Sequence, residues 1–269
     1  MAKASDFEGI AKDTFAIMPV HYASNPWHLG EVYDFAKKHG LRVIEDAAHA
    51  FGCKYHGRKI GSFGDMVCFS FDGIKNITCG EGGFVVAFDR EAASVMQDTR
   101  LLSVQNDTRA RFKGERTWDA DVSRQGWRFH LSNIMAAIGR VQLSRFEKEF
   151  VPARKHLAAL YRELLTGVQG VELLDQDPED DIVLHIQPVK VLNGKMPAVR
   201  QYLREHGIPV GVHYKPNHLH SYFSDPSAAP LPVTERLYGE LMTIPMHPAL
   251  SDDDVRLVCS TLKEALSRA

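Results

Sequence analysis

Between Phe15 and Asp46 two short apolar runs flank a segment of helical period, and this limits the possible folds more than any other feature. Phe15-Ala-Ile-Met-Pro-Val-His21 reads as a buried strand, with Pro19 favouring its end or an edge position. Leu29 to His39 places Leu29, Val32, Tyr33 and Ala36 on one helical face and stops at Gly40. Leu41-Arg-Val-Ile-Glu-Asp46 is the next strand. Strand, helix and strand form a βαβ unit with an expected right-handed crossover. The same alternation through the first half of the chain implies an α/β domain with a largely parallel sheet.

Further along, Cys53 to Ile60 reads as a hairpin turning at His56-Gly57, and Met66–Ser70 and Gly83–Phe88 read as strands. A helix is expected from about Arg90 to Leu102, then a polar loop from Asn106 to Asp121 and a long helix from Leu131 to Phe150. Another helix follows Val151-Pro152 as far as about Leu165. From about Gly170 the pattern shifts to short strands (Val171–Leu174, Ile182–Gln187, Ile208–His213) and peripheral helices such as Pro197–His206. Ser251-Asp-Asp-Asp opens the last helix as a Ser N-cap with acidic residues suited to the helix dipole. The expected division is a large domain over residues 1–150 and a smaller C-terminal α/β domain over 151–269.

Bulk properties exclude several classes. A formal net charge of -2, with scattered basic residues, gives no electrostatic footprint for nucleic acid. No run of 18 apolar residues occurs, so no membrane span is expected, and the N-terminus has no apolar signal core. Four cysteines without CxxC pairing fit reduced thiols in a cytoplasmic protein. The pair His218 and His220 lacks further ligands at useful spacing, so a loop histidine pair is the better reading than a metal site.

Ligands of open α/β sheets bind beyond the C-terminal ends of the strands. Asp46 ends one strand, followed by Ala47-Ala48-His49; Ser70 ends another, followed by Phe71-Asp-Gly-Ile-Lys75. A carboxylate and a lysine at adjacent strand ends are what pyridoxal-phosphate (PLP) chemistry requires. The carboxylate keeps the pyridine nitrogen protonated and the lysine forms the Schiff base. Taken singly the residues have plainer readings: Lys75 as a surface lysine, Asp46 and Ser70 as caps, His49 as a packed histidine.

The ordered set is more specific than its parts. Ile44-Glu-Asp-Ala-Ala-His-Ala50, Gly61-Ser-Phe-Gly-Asp65, Cys68-Phe-Ser-Phe71, Lys75-Asn-Ile-Thr78 and Gly80-Glu-Gly-Gly83 resemble, in order and spacing, the DegT/DnrJ/EryC1/StrS aminotransferases, which act on keto groups of nucleotide-linked sugars. Pro19-Val-His-Tyr22, Gly126 to Gly139, Ile244 to Pro248 and Ser251 to Val255 extend the resemblance from about Phe15 to the end. It implies fold type I, the aspartate-aminotransferase-like PLP-dependent transferase fold. By position, Asp46 would pair with the pyridinium and His49, where the family usually has Gln, would lie near the cofactor ring. Ser70 would bind the phosphate and Lys75 would carry the Schiff base. Arg128 stands where many relatives have an Asn that reaches the neighbouring subunit's phosphate, implying a homodimer with shared active sites. His213 and Tyr214 would line the substrate entrance. Trp127 and Phe129 would pack in the dimer-facing segment, and Gly80, Gly82 and Gly83 would form the turn into the next strand.

Only fourteen residues precede Phe15, whereas relatives carry a substantial segment there, so the resemblance implies an N-terminally truncated large domain. A fragment of a longer enzyme, a half supplied by another polypeptide and a degenerate relative all stay open. The expected function is amino transfer, with glutamate as donor, to a keto group of a nucleotide-linked sugar. The alternatives are an inactive or partner-dependent PLP-fold protein and a related sugar dehydratase; known dehydratases replace the lysine that is present here.

Overall fold

The computed structural model describes Gly9 and residues 12–26, 28–105, 113–115 and 121–269; most of the polar loop read at Asn106–Asp121 lies outside them. The chain divides into two units. The first is drawn from Met1–Tyr22, Pro26–Arg145 and Glu179–Asp181, the second from Ala23–Asn25, Phe146–Pro178 and Ile182–Ala269.

The first unit is built on a sheet of β1 (Ala16–Ile17), β2 (Arg42–Asp46), β5 (Met66–Ser70) and β6 (Gly83–Ala87), in that spatial order. β1, β2 and β5 run parallel and β6 is antiparallel to β5. A small hairpin of β3 (Lys54–Tyr55) and β4 (Arg58–Lys59) sits apart from the sheet. The strand expected over Phe15–His21 is shorter because Pro19 lacks the N–H that a continuous ladder needs. Pairing resumes at Val20, which bridges Asp46, and the Pro19 carbonyl accepts the Asp46 N–H at 2.9 Å.

Helix α1 (Leu29–His39) buries Leu29, Val32, Phe35 and Ala36, spaced three and four apart, and ends at Gly40 in the left-handed conformation. α2 (Arg90–Thr99) is capped by Asp89, whose carboxylate accepts the Glu91 and Ala92 N–H groups. α3 (Asn133–Arg145) closes the unit.

The second unit opens with a π-helical turn, Phe146–Phe150, leading into α4 (Val151–Leu165). The long helix expected to reach Phe150 in one geometry therefore changes spacing just before Pro152, which cannot donate to an i−4 carbonyl. β7 (Val171–Leu173), β8 (Gln187–Val191) and β9 (Leu241–Ile244) form an antiparallel sheet with β8 in the middle. Around it stand α5 (Met196–Glu205), α6 (Pro232–Glu240) and α7 (Asp252–Arg268). α7 presents Val255, Val258, Cys259, Leu262, Ala265 and Leu266 to the core on the i, i+3, i+4 pattern. Its start is a complete capping box, with Ser251 accepting the Asp254 N–H and Asp254 accepting the Ser251 N–H.

Two expected strands are corrected. Ile182–Gln187 is buried without a ladder up to Gln187, because its polar groups are met by side chains. Arg154 donates to the Leu184 and His185 carbonyls at 2.9 and 3.2 Å, and Ser24 Oγ accepts the His185 N–H at 2.8 Å. Ile208–His213 contributes only a bridge between Gly211 and Thr243.

Candidate active site

The alternating faces of β2 and β5 organise the site. Asp46 is in register with Cys68 and Ile44 with Met66 in parallel pairing, so Ile44, Asp46, Met66, Cys68 and Ser70 share one face, which is half-buried. Val43, Glu45, Val67 and Phe69 point to the other face and are buried. Asp46 and Ser70 thus stand at the C-terminal ends of neighbouring parallel strands on the more open face, as expected for a ligand site of an open sheet.

After β5 the chain makes a tightly stapled loop that carries Lys75. The Phe71 N–H donates to the Gly82 carbonyl at 2.8 Å and the Cys79 N–H to the Phe71 carbonyl at 2.9 Å, closing the loop at its base. Ser70 Oγ accepts the Asp72 N–H at 3.3 Å, and the Lys75 N–H donates to the Asp72 carbonyl at 3.1 Å. Asn76 Nδ2 donates to the Phe51 carbonyl at 3.0 Å. Beneath it, Phe51 meets Phe69, Phe71 and Phe84 edge-on, a rigid aromatic base. Gly83 is required where β6 begins: a Cβ there would run into the Phe69 carbonyl oxygen across the Ser70–Gly83 pair.

The electrostatics distinguish these groups. Burial lowers the Lys75 pKa, opposed by the attraction of Asp72 and Asp46. Burial, with Asp46 adding to it, raises the Cys68 thiol pKa, so this cysteine stays protonated. Asp46 accepts the Ala48 N–H at 3.1 Å. His49 is buried, with the Tyr22 ring 6.4 Å away and tilted. A carboxylate, a hydroxyl and a partly desolvated amine at one end of the sheet fit PLP: the ring nitrogen, the phosphate and the aldehyde each find a group of matching chemistry.

The other expected site residues belong to other elements. Arg128 belongs to the same unit but pairs through its backbone with Leu101, and its exposed side chain borders an apolar cavity beside β6 and α2. Trp127 and Phe129 stack on one another at 6.1 Å and are 50% and 70% exposed. His213 and Tyr214 lie in the second unit, where His213 Nδ1 is 2.9 Å from Thr243 Oγ1. His218 pairs with Glu235 at 3.3 Å, and no metal-binding cluster occurs among the described residues.

One group was not singled out from the sequence. Glu45 is fully buried on the face opposite Asp46, between His21 Nε2 at 2.8 Å and Tyr33 Oη at 2.6 Å. Its signal was a glutamate inside the apolar run Val43-Ile44-Glu45, where a charge demands partners.

The model of the DegT/DnrJ/EryC1/StrS aminotransferase family, whose enzymes depend on PLP, matches residues 7–263. An uncharacterised protein of Methanocaldococcus jannaschii, MJ1066, is 32% identical over 96% of this chain and 68% of its own length. DesV of S. venezuelae, solved with a ketimine intermediate, superposes with a TM-score of 0.84 at 29% identity, over 95% of this chain and 66% of that one. PseC of Helicobacter pylori, an aminotransferase in the biosynthesis of pseudoaminic acid, gives 0.87 at 26% identity, over 95% and 68%. The chain thus spans about two thirds of the length of these relatives. In the first unit and the second alike it carries the fold of the PLP-dependent aminotransferases, and it belongs to the DegT/DnrJ/EryC1/StrS aminotransferase family.

Proposed function

We propose that this chain carries the PLP site of an aminotransferase that moves an amino group, with glutamate as donor, onto a keto carbon of a nucleotide-linked sugar. The observation that carries the reading is the Asp46 carboxylate at the C-terminal end of β2, close enough to the Lys75 amine on the loop after β5 to attract it electrostatically. When bound, PLP supplies an electron sink for the carbon bearing the amino group. The protein's part is to hold and to move protons. Asp46 accepts the ring N–H and keeps it protonated. Ser70 Oγ donates to the phosphate, and His49 flanks the ring. Lys75 Nζ, made less basic than an exposed lysine by burial, is the group positioned to take up a proton and return it. Arg128 reaches a phosphate in a second copy, and His213 and Tyr214 border the sugar's entrance.

A homodimer with shared sites suits the first unit's surface. Ile134, Ile138 and Val141 form an exposed stripe along α3, 76%, 44% and 58% accessible, close in sequence to the exposed Trp127 and Phe129. A cytoplasmic setting agrees with four free cysteines, and no helix among the described residues is long and apolar enough to cross a membrane.

The test is borohydride reduction after PLP addition, with peptide mass spectrometry locating the label. Label on Lys75, lost in Lys75→Ala, supports the site; no label on the intact chain overturns it. Incubation with a keto-deoxysugar nucleotide and glutamate should then give the amino sugar, whereas loss of water would mark a dehydratase. Sedimentation should show a dimer.

A further inference from the structure

We propose that His21, Glu45 and Tyr33 are positioning residues, a buried hydrogen-bonded relay that fixes the end of β2 so that Asp46 meets the cofactor's ring nitrogen. The inference rests on the role given to Asp46 above and extends it to the opposite face of the sheet.

Glu45 has no solvent exposure and His21 is 2% exposed. A carboxylate so placed is costly unless its oxygens are satisfied. Here one oxygen accepts His21 Nε2–H at 2.8 Å and the other accepts the Tyr33 hydroxyl at 2.6 Å. The relay continues outward, since Tyr33 Oη accepts the Asp65 N–H at 3.2 Å. Burial, reinforced by Glu45, pushes the Tyr33 phenol well above its usual range, so it remains a donor. Gly64 closes the group: at φ +104° it approaches so near that a Cβ would collide with Tyr33 Oη and lie 2.7 Å from Glu45 Oε1.

Two backbone links tie this relay to Asp46. The His21 N–H donates to the Asp46 carbonyl at 3.0 Å, and the Asp46 N–H donates to the Pro19 carbonyl at 2.9 Å. At the other end of β2, Asp65 grips Arg42 through two hydrogen bonds of 2.6 Å and accepts the Val43 N–H at 3.2 Å. The strand is therefore held at its start by Asp65 through Arg42 and the Val43 N–H, and near its end by His21 and Tyr33, which bind Glu45 on the buried face. Its last residue is the one that must address a ligand, and sub-ångström placement of such a group governs how strongly it acts.

The experiment is a double-mutant cycle on PLP affinity, measured by fluorescence titration of the intact chain well below its melting temperature. Glu45→Gln introduces an amide that cannot accept from both donors. It should weaken PLP on the order of tenfold, the scale seen for groups that orient a ligand from behind. Tyr33→Phe should act in the same direction and carries the cycle if Glu45→Gln does not fold. Placed on an Asp46→Asn background, either change should add less than about twofold, because the relay acts through Asp46. Full multiplication of the two effects would show a merely structural role and overturn the proposal. So would an unchanged affinity in folded Glu45→Gln or Tyr33→Phe while Asp46→Asn weakens PLP. If Asp46→Asn itself has no effect, the site reading falls and the relay's role falls with it.

Discussion

Replacing Gly83 with alanine should loosen the lysine loop by prising two strands apart. The added Cβ would meet the Phe69 carbonyl oxygen, with the Phe69 carbonyl carbon at 3.5 Å and Ser70 Cα at 3.6 Å. All three are backbone atoms, so no side-chain rotation relieves the overlap. β5 and β6 must separate locally at the Ser70–Gly83 pair. Overpacking of this kind costs roughly 1–3 kcal/mol, and losing the adjacent Phe71 N–H to Gly82 carbonyl bond adds about 1 kcal/mol. A total of about 3 kcal/mol corresponds to a fall of about 10 °C in melting temperature for a unit of this size. Trp127 belongs to the first unit, so its fluorescence, with the other two tryptophans replaced, follows that unit's unfolding. Gly73→Ala is the matched control, since a Cβ there meets only the Gly80 carbonyl oxygen at 3.7 Å, an ordinary contact. PLP trapping on Lys75 should drop in Gly83→Ala alone. A Gly83→Ala protein that melts within about 2 °C of the parent, less than 1 kcal/mol at this size, would refute the steric argument.

Three further outcomes are expected. Burial holds the Lys75 pKa below its ordinary 10.5, so below that lowered value the folded state carries a penalty for the charge. Between the two values the unfolded chain binds more protons and stability rises with pH. Lys75→Met should therefore outlast the parent in urea at neutral pH, with the gap closing as pH approaches 10.5. Tyr161 is fully buried and donates to the Pro245 carbonyl at 2.8 Å, so Tyr161→Phe should lower the second unit's stability by about 1–2 kcal/mol in urea titration. Ser251→Ala removes the capping box of α7 and should cost about 1 kcal/mol, read from the same titration.

The strands that end at Asp46 and Ser70 were legible because each is a short run with β-branched or aromatic residues, followed by a turn. The second unit's sheet was harder to read. β8 contains Pro188, which a central strand should not tolerate. The structure resolves this by register: β7 pairs β8 only from Val189 to Val191, so Pro188 is bonded on one side alone, opposite Thr243. The apolar run Ile182–Gln187 misled because burial, not pairing, is what an apolar run reports. Arg154 and Ser24 satisfy its backbone from a distance in sequence that no local pattern encodes.

Glu45 and Asp46 show why adjacent acids in one strand are not interchangeable. The two-residue period of β2 sends them to opposite faces. Glu45 faces the interior, where His21 and Tyr33 each take one of its oxygens, so it has little acceptor capacity to offer a ligand. Asp46 faces the open side with one hydrogen bond, from the Ala48 N–H, among the described residues. An ionised carboxylate has about four lone-pair sites, so Asp46 retains the capacity that a protonated ring nitrogen needs. Exchanging the pair would bury the acid meant for the ligand and leave His21 and Tyr33 with a shorter partner. The order Glu-Asp, not merely the presence of two acids, is what lets one hold the strand while the other addresses the site.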